Sequence, residues 1–558
     1  AGLTLTLNGS GNFAGTDTSL IQTDLSALAV STSDGDQFFR ERDGIDSVNM
    51  SAGTGSITLL LSEGSLSDLD TDLDFTATAA TIILEDPDDS GDGVGTDNHV
   101  ISTSVSSLTV NTAAGSVHGS LFIRELNGLT ALNLNAGSAS ITLTLSNGSL
   151  LDSDPDSDIQ ANSLLITLED TDDSGDEVGA ANAPIQLSVT NLTVVTDAGS
   201  NHGDLFLREA DGISTLDLQA GTANVTLALT EGSLLDSDSN VDITAFSATL
   251  SADDADDSGD TVGSAANALQ TAVDALTVTT SAGSKHGDQF LRETDGLDAV
   301  SLNAAAANIT LTLTRGSLLD TDTDTDITAA MLLVNLQDTD DQGEAVGSLE
   351  NPIQTAVEDL TVLTNAGNVH GDQFLSENDA LTQLLLLAGT SSVTLTLTSG
   401  SLEDSDGDLD ITAFAATLHL TATGTTVGSQ TNALQTSVDQ LTVRNSGTQF
   451  LVELDDLSAV SLNADSGTIA LTLLDGSLQD SDNDTDITAH AAVITLADTV
   501  DDGDAVGNAT NPLQTSLNSL SVFTHAGSDD GDQFLEELNG LTALELNAGS
   551  ALISLTLL

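Results

Sequence analysis

The sequence predicts an all-β chain: a right-handed three-sided parallel β-helix (solenoid) built from 84-residue units of about four turns each. Three observations carry that expectation. They are a strict long repeat, short strands of alternating apolar and polar residues, and an interior with few large aromatics.

Two independent anchors define the repeat. The phenylalanine of the Gly-Asp-Gln-Phe-Leu motif falls at Phe38, Phe122, Phe206, Phe290, Phe374, Phe450 and Phe534, with spacings of 84, 84, 84, 84, 76 and 84. The glycine of Gly-Ser-Leu, at Gly64, Gly148, Gly232, Gly316, Gly400 and Gly476, keeps the same spacings. One continuous solenoid is therefore expected. It has a partial repeat at 1–37 without acidic loops, full repeats at 38–121, 122–205, 206–289 and 290–373, a short repeat at 374–449, a full repeat at 450–533 and a partial repeat at 534–558. The short copy loses three residues between Gly347 and Gly428 and five between Gly428 and Phe450. Both losses fall in polar loops, which tolerate deletion where strands do not.

Each unit divides again. Asn127-Gly128 and Asn147-Gly148 lie 20 apart, and Gly115-Ser116 and Gly137-Ser138 lie 22 apart. This gives a sub-period of roughly 21 residues and a strand-to-strand rise of ~4.8 Å, so about 26 turns would form a rod on the order of 125 Å long. Runs such as Ile141-Thr-Leu-Thr-Leu145, Leu164-Leu-Ile-Thr-Leu168 and Val225-Thr-Leu-Ala-Leu229 point aliphatic residues inward and threonine outward. Gly, Asn, Asp and Ser punctuate them. The competing architecture is a string of antiparallel sandwiches, one per unit. A sandwich core usually rests on large aromatics, and this chain has no Trp, no Tyr and 13 Phe.

Charge excludes several functions. Asp and Glu total 87 against 8 Lys and Arg, a formal net charge of -79. Such a field repels nucleic acid and anionic membranes. There is no Cys for disulfides or thiolate metal sites. No apolar run approaches the ~20 residues of a membrane span. Ala1 to Leu7 already reads as a strand, so an export signal is expected outside this stretch. Both termini fall at nearly the same phase of the repeat, which points to a piece of a longer array or to end-to-end stacking.

Two acidic loops recur. The first follows Gly-Ser-Leu, with Asp68, Asp70, Asp72 and Asp74 in the first copy and Asp152, Asp154, Asp156 and Asp158 in the second. The third copy has Asp236, Asp238 and Asp242, and the fourth has Asp320, Asp322, Asp324 and Asp326. Asp404, Asp406, Asp408 and Asp410 follow in the fifth, and Asp480, Asp482, Asp484 and Asp486 in the sixth. Alternating Asp with small residues lets several carboxylates converge on one hard cation, the pattern of calcium loops.

The second loop precedes Val-Gly. It contains Asp86, Asp88, Asp89 and Asp92, then Asp170, Asp172, Asp173 and Asp176, then Asp254, Asp256, Asp257 and Asp260. Asp338, Asp340, Asp341 and Glu344 form the fourth, and Asp498, Asp501, Asp502 and Asp504 the sixth. Glycine at its bend permits a tight turn. The two loops of one copy are expected near the same edge, close enough to share ions. At about one charge per 1.6 Å the rod approaches the linear density of duplex DNA, which condenses counterions. The cofactor expected is Ca²⁺, several ions at these loops, against the blander reading of solvated turns. The fifth copy has Thr421-Ala-Thr-Gly-Thr-Thr-Val427 in place of its second loop, a built-in control that should bind nothing.

Other recurring residues read as structural. His118, His202, His286 and His370 recur at 84, too far apart to share a metal, and suit a turn. Arg40, Arg124, Arg208 and Arg292 precede Glu41, Glu125, Glu209 and Glu293, and each Arg is expected to pair with a carboxylate on an adjacent turn. The motif phenylalanine is expected in the core. The Thr-x-Thr strands are read as ordinary outward threonines rather than an ice-binding face. No Ser-His-Asp or Cys-His set stands apart from the repeat, so no enzyme activity is expected.

Asn511-Pro-Leu-Gln-Thr-Ser516 opens a run ending in Asp532-Gln-Phe-Leu-Glu-Glu-Leu-Asn-Gly540, with variants at Asn351 and Asn267. Together with Asn135-Ala-Gly-Ser and Ile141–Leu145, these motifs resemble the repeats of filamentous-haemagglutinin-like bacterial surface proteins, over essentially the whole chain. The resemblance implies a secreted, surface-attached or released β-helix fibre used in adhesion, with no catalytic residues in the repeats. The expected function is a structural extracellular fibre or adhesin segment rigidified by calcium. The alternatives are a filament or sheath subunit joined head to tail and, remotely, a calcium-dependent polysaccharide-active enzyme. The expected partners are divalent cations, copies of the chain end to end or laterally, and a host or neighbouring cell surface.

Overall fold

A computed structural model describes all residues, Ala1–Leu558. The chain is all-β, without a helix, and divides into two units, Ala1–Phe290 and Leu291–Leu558. Each unit is a parallel β-solenoid.

Alternation builds the wall. Ser140–Leu145 buries Ile141, Leu143 and Leu145 and turns Ser140, Thr142 and Thr144 outward. Asn308–Leu313 repeats this pattern in the second unit. Full burial of one such leucine contributes about 1.5–3 kcal/mol. Leu143, with no exposed surface, is the kind of position where truncation to Ala costs about 2–5 kcal/mol.

The stacking differs from the four short turns expected of each copy. In the first unit one ladder runs Phe39, Leu59, Ile82, Val110, Leu134, Ile159, Leu187, Glu209. Those are seven steps, and they bring the chain to the strand Leu205–Glu209, which repeats Gln37–Glu41 from two copies earlier. Each copy therefore makes three and a half turns. Ile123, midway between, belongs to the other ladder, which runs Ile123, Leu143, Ile166, Val194, Leu218, Ile243 and Thr271. Equivalent positions in successive copies thus alternate between the two ladders. The second unit behaves likewise, with Leu375 and Leu451 in different ladders. The short spacings in the sequence mark only the tightest turns. The step from Leu121 to its partner Ile141 is one of these, whereas the step from Leu164 to Leu192 is longer because an acidic loop is inserted.

The third side of the expected prism is reduced to single-residue bridges. Leu129, Leu150, Val178 and Leu205 form one such column in the first unit, and Leu381, Leu402, Val427 and Gln449 form one in the second. Both acidic loops of a copy flank this column.

Three side-chain placements follow. The motif phenylalanine is not in the core: in Leu121–Glu125, Leu121, Ile123 and Glu125 point inward, and Phe122 and Arg124 are half-exposed. The strand period decides this, because Phe and Arg share the face opposite Leu and Ile. Each Arg reaches farther than an adjacent turn. Arg124 Nε donates to Ser146 at 2.9 Å, and its guanidinium pairs with Glu169, two turns on, at 2.6 Å. Arg40 does the same with Ser62 and Glu85, and Arg292 finds the Gln337 amide instead of a carboxylate. The histidines hold turns: His118 Nδ1 accepts from the backbone N–H of Ser138 at 2.7 Å, and His202 and His370 accept from Thr222 and Thr390 at 2.8 Å.

Candidate cation sites in the acidic loops

The first loop is a chain of nested Asp turns with buried ends and an exposed middle. Asp152 accepts from the backbone N–H of Asp154 at 2.9 Å, and Asp154 accepts from that of Asp156 at 3.1 Å. Asp68–Asp70–Asp72, Asp320–Asp322–Asp324, Asp404–Asp406–Asp408 and Asp480–Asp482–Asp484 repeat the pattern. In the third copy Asn240 takes the third place, donating its N–H to Asp238. Short side chains that bond two residues ahead favour this turn over a strand.

The ends of the loop hold neighbouring turns. Asp152 accepts from Leu132 N–H, on the turn before, at 2.6 Å, and Asp158 accepts from Gln186 N–H, on the turn after, at 2.7 Å. Asp68 and Asp74 clasp Val48 and Ser102 in the same way, Asp236 and Asp242 clasp Leu216 and Gln270, and Asp320 and Asp326 clasp Val300 and Gln354. Asp410 and Asp486 accept from Gln435 and Gln514 at 2.6 Å. Each loop clasped at both ends therefore sits in the middle of three consecutive turns.

The last Asp is the unusual group. Asp74, Asp158, Asp242, Asp326, Asp410 and Asp486 are at most 2 % exposed. Burial pushes the carboxyl up to about 7 in Asp74, Asp158, Asp242 and Asp326 and to about 8 in Asp410 and Asp486. One oxygen takes the backbone N–H of the next turn. The other oxygen, Oδ1, has no partner in Asp74, Asp158, Asp326, Asp410 or Asp486. A buried carboxylate oxygen left unpaired costs free energy comparable to its desolvation, unless a cation takes its lone pairs.

Carboxylate oxygens converge here. One each from Asp68, Asp70, Asp72 and Asp74 lie within 4.8 Å of one another, as do those of Asp152, Asp154 and Asp158 and of Asp236, Asp238 and Asp242. Oxygens on opposite sides of a calcium ion, at about 2.4 Å each, are separated by about 4.8 Å. The donor set fits a hard divalent cation, with the exposed middle leaving room for water. Asp156 lies outside the group of its copy.

The second loop is built differently. Asp170 accepts from Ser174 and Gly175 N–H, both at 2.9 Å, closing the loop on itself. Asp176 accepts from Gly148 N–H on the preceding turn at 2.5 Å. Asp173 faces the following turn, where Ser200 N–H, Ser200 Oγ and Asn201 N–H donate to it at 2.6, 2.6 and 2.9 Å. These bonds, the Ser200 hydroxyl first, hold its carboxyl down at about 2. Asp89, Asp257, Asp341 and Asp501 make the same clamp. Asp86, Asp254, Asp338 and Asp498 close their loops, and Asp92, Asp260, Glu344 and Asp504 hold Gly64, Gly232, Gly316 and Gly476. Asp86, Asp88 and Asp92 converge, as do Asp170, Asp172 and Asp176, and neither group includes the clamp residue Asp89 or Asp173. Asp88, Asp172, Asp256, Asp340 and Asp502 are exposed. Glu344 is the exception in this class, its Oε2 buried and unpartnered.

The two loops of a copy share an edge, as expected, but not a site. The first loop follows Leu150 and the second precedes Val178, and these residues bridge each other. The loops lie on opposite sides of that column and form separate groups.

Comparison adds no relative: no family model, curated protein or solved structure matches the chain. The repeat and the ladders decide the class by themselves. The chain is a β-helix repeat protein.

This repeat protein also buries an acid in every copy, at the position that follows the motif arginine in the first four. Glu41, Glu125, Glu209, Glu293, Glu377, Glu453 and Glu537 have no exposed surface. Glu377 accepts from Thr355 Oγ1 at 2.7 Å and from the backbone of Val357 and Asp379. Burial lifts Glu209, Glu377 and Glu453 to about 7. The signal was present in Leu-Phe-Ile-Arg-Glu, where period two puts Glu on the face of Leu and Ile.

Proposed function

We propose that this β-helix repeat protein is a non-catalytic structural segment of an extracellular bacterial surface fibre or adhesin, rigidified by calcium at its Asp-rich loops. The observation that carries the reading is the placement of the acidic loops as clasps. Their carboxylates accept backbone N–H groups from the turn before and the turn after, as Asp152 and Asp158 do with Leu132 and Gln186. A cation held among them ties those turns together and offsets the repulsion of a chain with net charge -79.

The extracellular setting is supported by chemistry: open, water-accessible carboxylate loops of this kind suit the higher calcium levels found outside cells. The resemblance of the Asn-Pro-Leu-Gln-Thr-Ser and Gly-Asp-Gln-Phe-Leu motifs to filamentous-haemagglutinin-like repeats supports a surface fibre. The structural role is supported by the buried acids, since the Glu377 type is spent on neighbouring backbone rather than presented in a cleft. Thermal melting of the purified chain in calcium and after chelation, at constant ionic strength, tests the proposal. A fall in Tm on chelation is expected, and an unchanged Tm refutes the cation-stiffened fibre.

A further inference from the structure

We infer that the two acidic loops divide the work: the first loops are the calcium sites, one ion each, and the second loops are hydrogen-bonded clasps that hold none. The inference rests on the cation reading above and says which carboxylates realise it.

The distinction lies in what each buried oxygen already has. In the second loop of the second copy, Asp170, Asp173 and Asp176 accept backbone N–H groups from their own loop, the next turn and the preceding turn. Those bonds stabilise the charge without an ion. In the first loop the buried last Asp spends one oxygen on the following turn, its other oxygen has no partner, and its carboxylate belongs to the converging group of that loop. The same orphaned Oδ1 recurs in Asp74, Asp158, Asp326, Asp410 and Asp486. Recurrence in both units, at one repeat position, marks a built-in demand for a positive partner rather than an accident of one loop. Convergence within 4.8 Å and an exposed middle that admits water suit the six to eight oxygens calcium takes.

The third copy grades the set. Asn240 replaces the third Asp, so its loop offers three carboxylates where the first, second, fourth, fifth and sixth copies offer four. The carboxylates that converge in the third copy, Asp236, Asp238 and Asp242, match those of the second, Asp152, Asp154 and Asp158. Both sites should bind more weakly than that of the first copy, where Asp68, Asp70, Asp72 and Asp74 all converge, because affinity in such loops rises with ligand charge.

The test is calcium binding to the full chain by equilibrium dialysis at about 0.15 M monovalent salt, which screens the diffuse ion cloud. About six ions per chain are expected, one for each first loop. Asp154→Asn, at an exposed position that keeps its oxygen for Asp156 N–H, should remove one ion, and Asp172→Asn in the second loop should remove none. About eleven ions, loss of an ion on Asp172→Asn, or a seventh ion lost on Glu344→Gln would overturn the division. So would binding that never saturates. Each single variant carries its own circular dichroism spectrum as a folding check. The melt separates this inference from the broader reading: a calcium-dependent Tm with ions mapping to the second loops sinks only the division. Six ions with an unchanged Tm sink only the stiffening role.

Discussion

The fifth copy lacks the acidic second loop that the second copy has, and the difference separates what the fold needs from what the acidic loops add. In the second copy, loop Asp170–Asp176 reaches across to Ser200 and Asn201 through Asp173. In the fifth, Thr421 to Val427 contains no carboxylate and manages with hydroxyls and amides. Thr421 Oγ1 donates to Thr398 O at 3.1 Å, Gly424 N–H donates to Ser446 Oγ at 2.7 Å, and Asn445 Nδ2 donates to Thr425 O at 2.7 Å. The column beneath is intact, because Leu402, Val427 and Gln449 still bridge. The solenoid therefore closes a turn without the acidic clasp. The two deletions of this copy also gain a reason. Three residues leave the loop and five leave the segment it would have clamped, including the position of His202 and His370. The clasp and its receiver were lost together.

The largest effect is expected when one half of the pair is removed without the other. Replacing the second loop of the second copy by the Thr421–Thr426 sequence, with its receiver at 197–204 left long, should destabilise more than replacing both. A coupling energy of about 1–3 kcal/mol is expected from a double-mutant cycle by urea unfolding. Simple additivity would show that the two segments do not act as a unit.

The next effect is on pH. Glu209, Glu377 and Glu453 are raised by burial to about 7, so the folded chain holds protons that the unfolded chain releases near pH 4.5. That stabilisation is full below about 4.5 and is lost as pH rises through about 7, on the order of 3 kcal/mol per Glu. Calcium-free protein should melt higher at pH 5 than at pH 8, and Glu377→Gln should flatten the profile. A profile left unchanged by Glu377→Gln would assign the pH dependence elsewhere.

A smaller effect is expected from the clamp itself. Asp173→Ala removes the acceptor for three donors and should cost about 1–2 kcal/mol, read as faster amide exchange at Ser200 and Asn201. Asp172→Ala, on the exposed side of the same loop, should leave those amides as they were. The smallest effect belongs to the Arg pairs: Arg124→Ala should change stability by at most about 1 kcal/mol, since Arg124 and Glu169 are 43 % and 34 % exposed.

The repeat, the strands and the acidic loops were legible because each has a local signature: a spacing, an alternation, a run of Asp. Turn length was not legible. The tight steps, such as Leu121↔Ile141, carry glycine marks, whereas the long step at Leu164↔Leu192 hides its insertion inside a loop. Averaging the visible marks gave four turns where pairing gives three and a half. The inward Glu set was missed because charge was weighed ahead of period: Glu125 alternates with Ile123 and lies buried on the same face. Phe122 lies on the opposite face, with Arg124, because apolar character alone does not set the face of a strand residue. The roles of Asp173 and Asp176 depend on the following and preceding turns, and no local pattern reveals those partners.

Amide hydrogen exchange of the full chain with and without calcium, at fixed salt, reads out directly whether cations tie the first-loop turns together. Calcium-dependent protection is expected at Leu132 and Gln186, the amides clasped by the ends of the first loop, and none at Gly424 and Thr426. Protection that rises equally at all four amides, or at none, would contradict it.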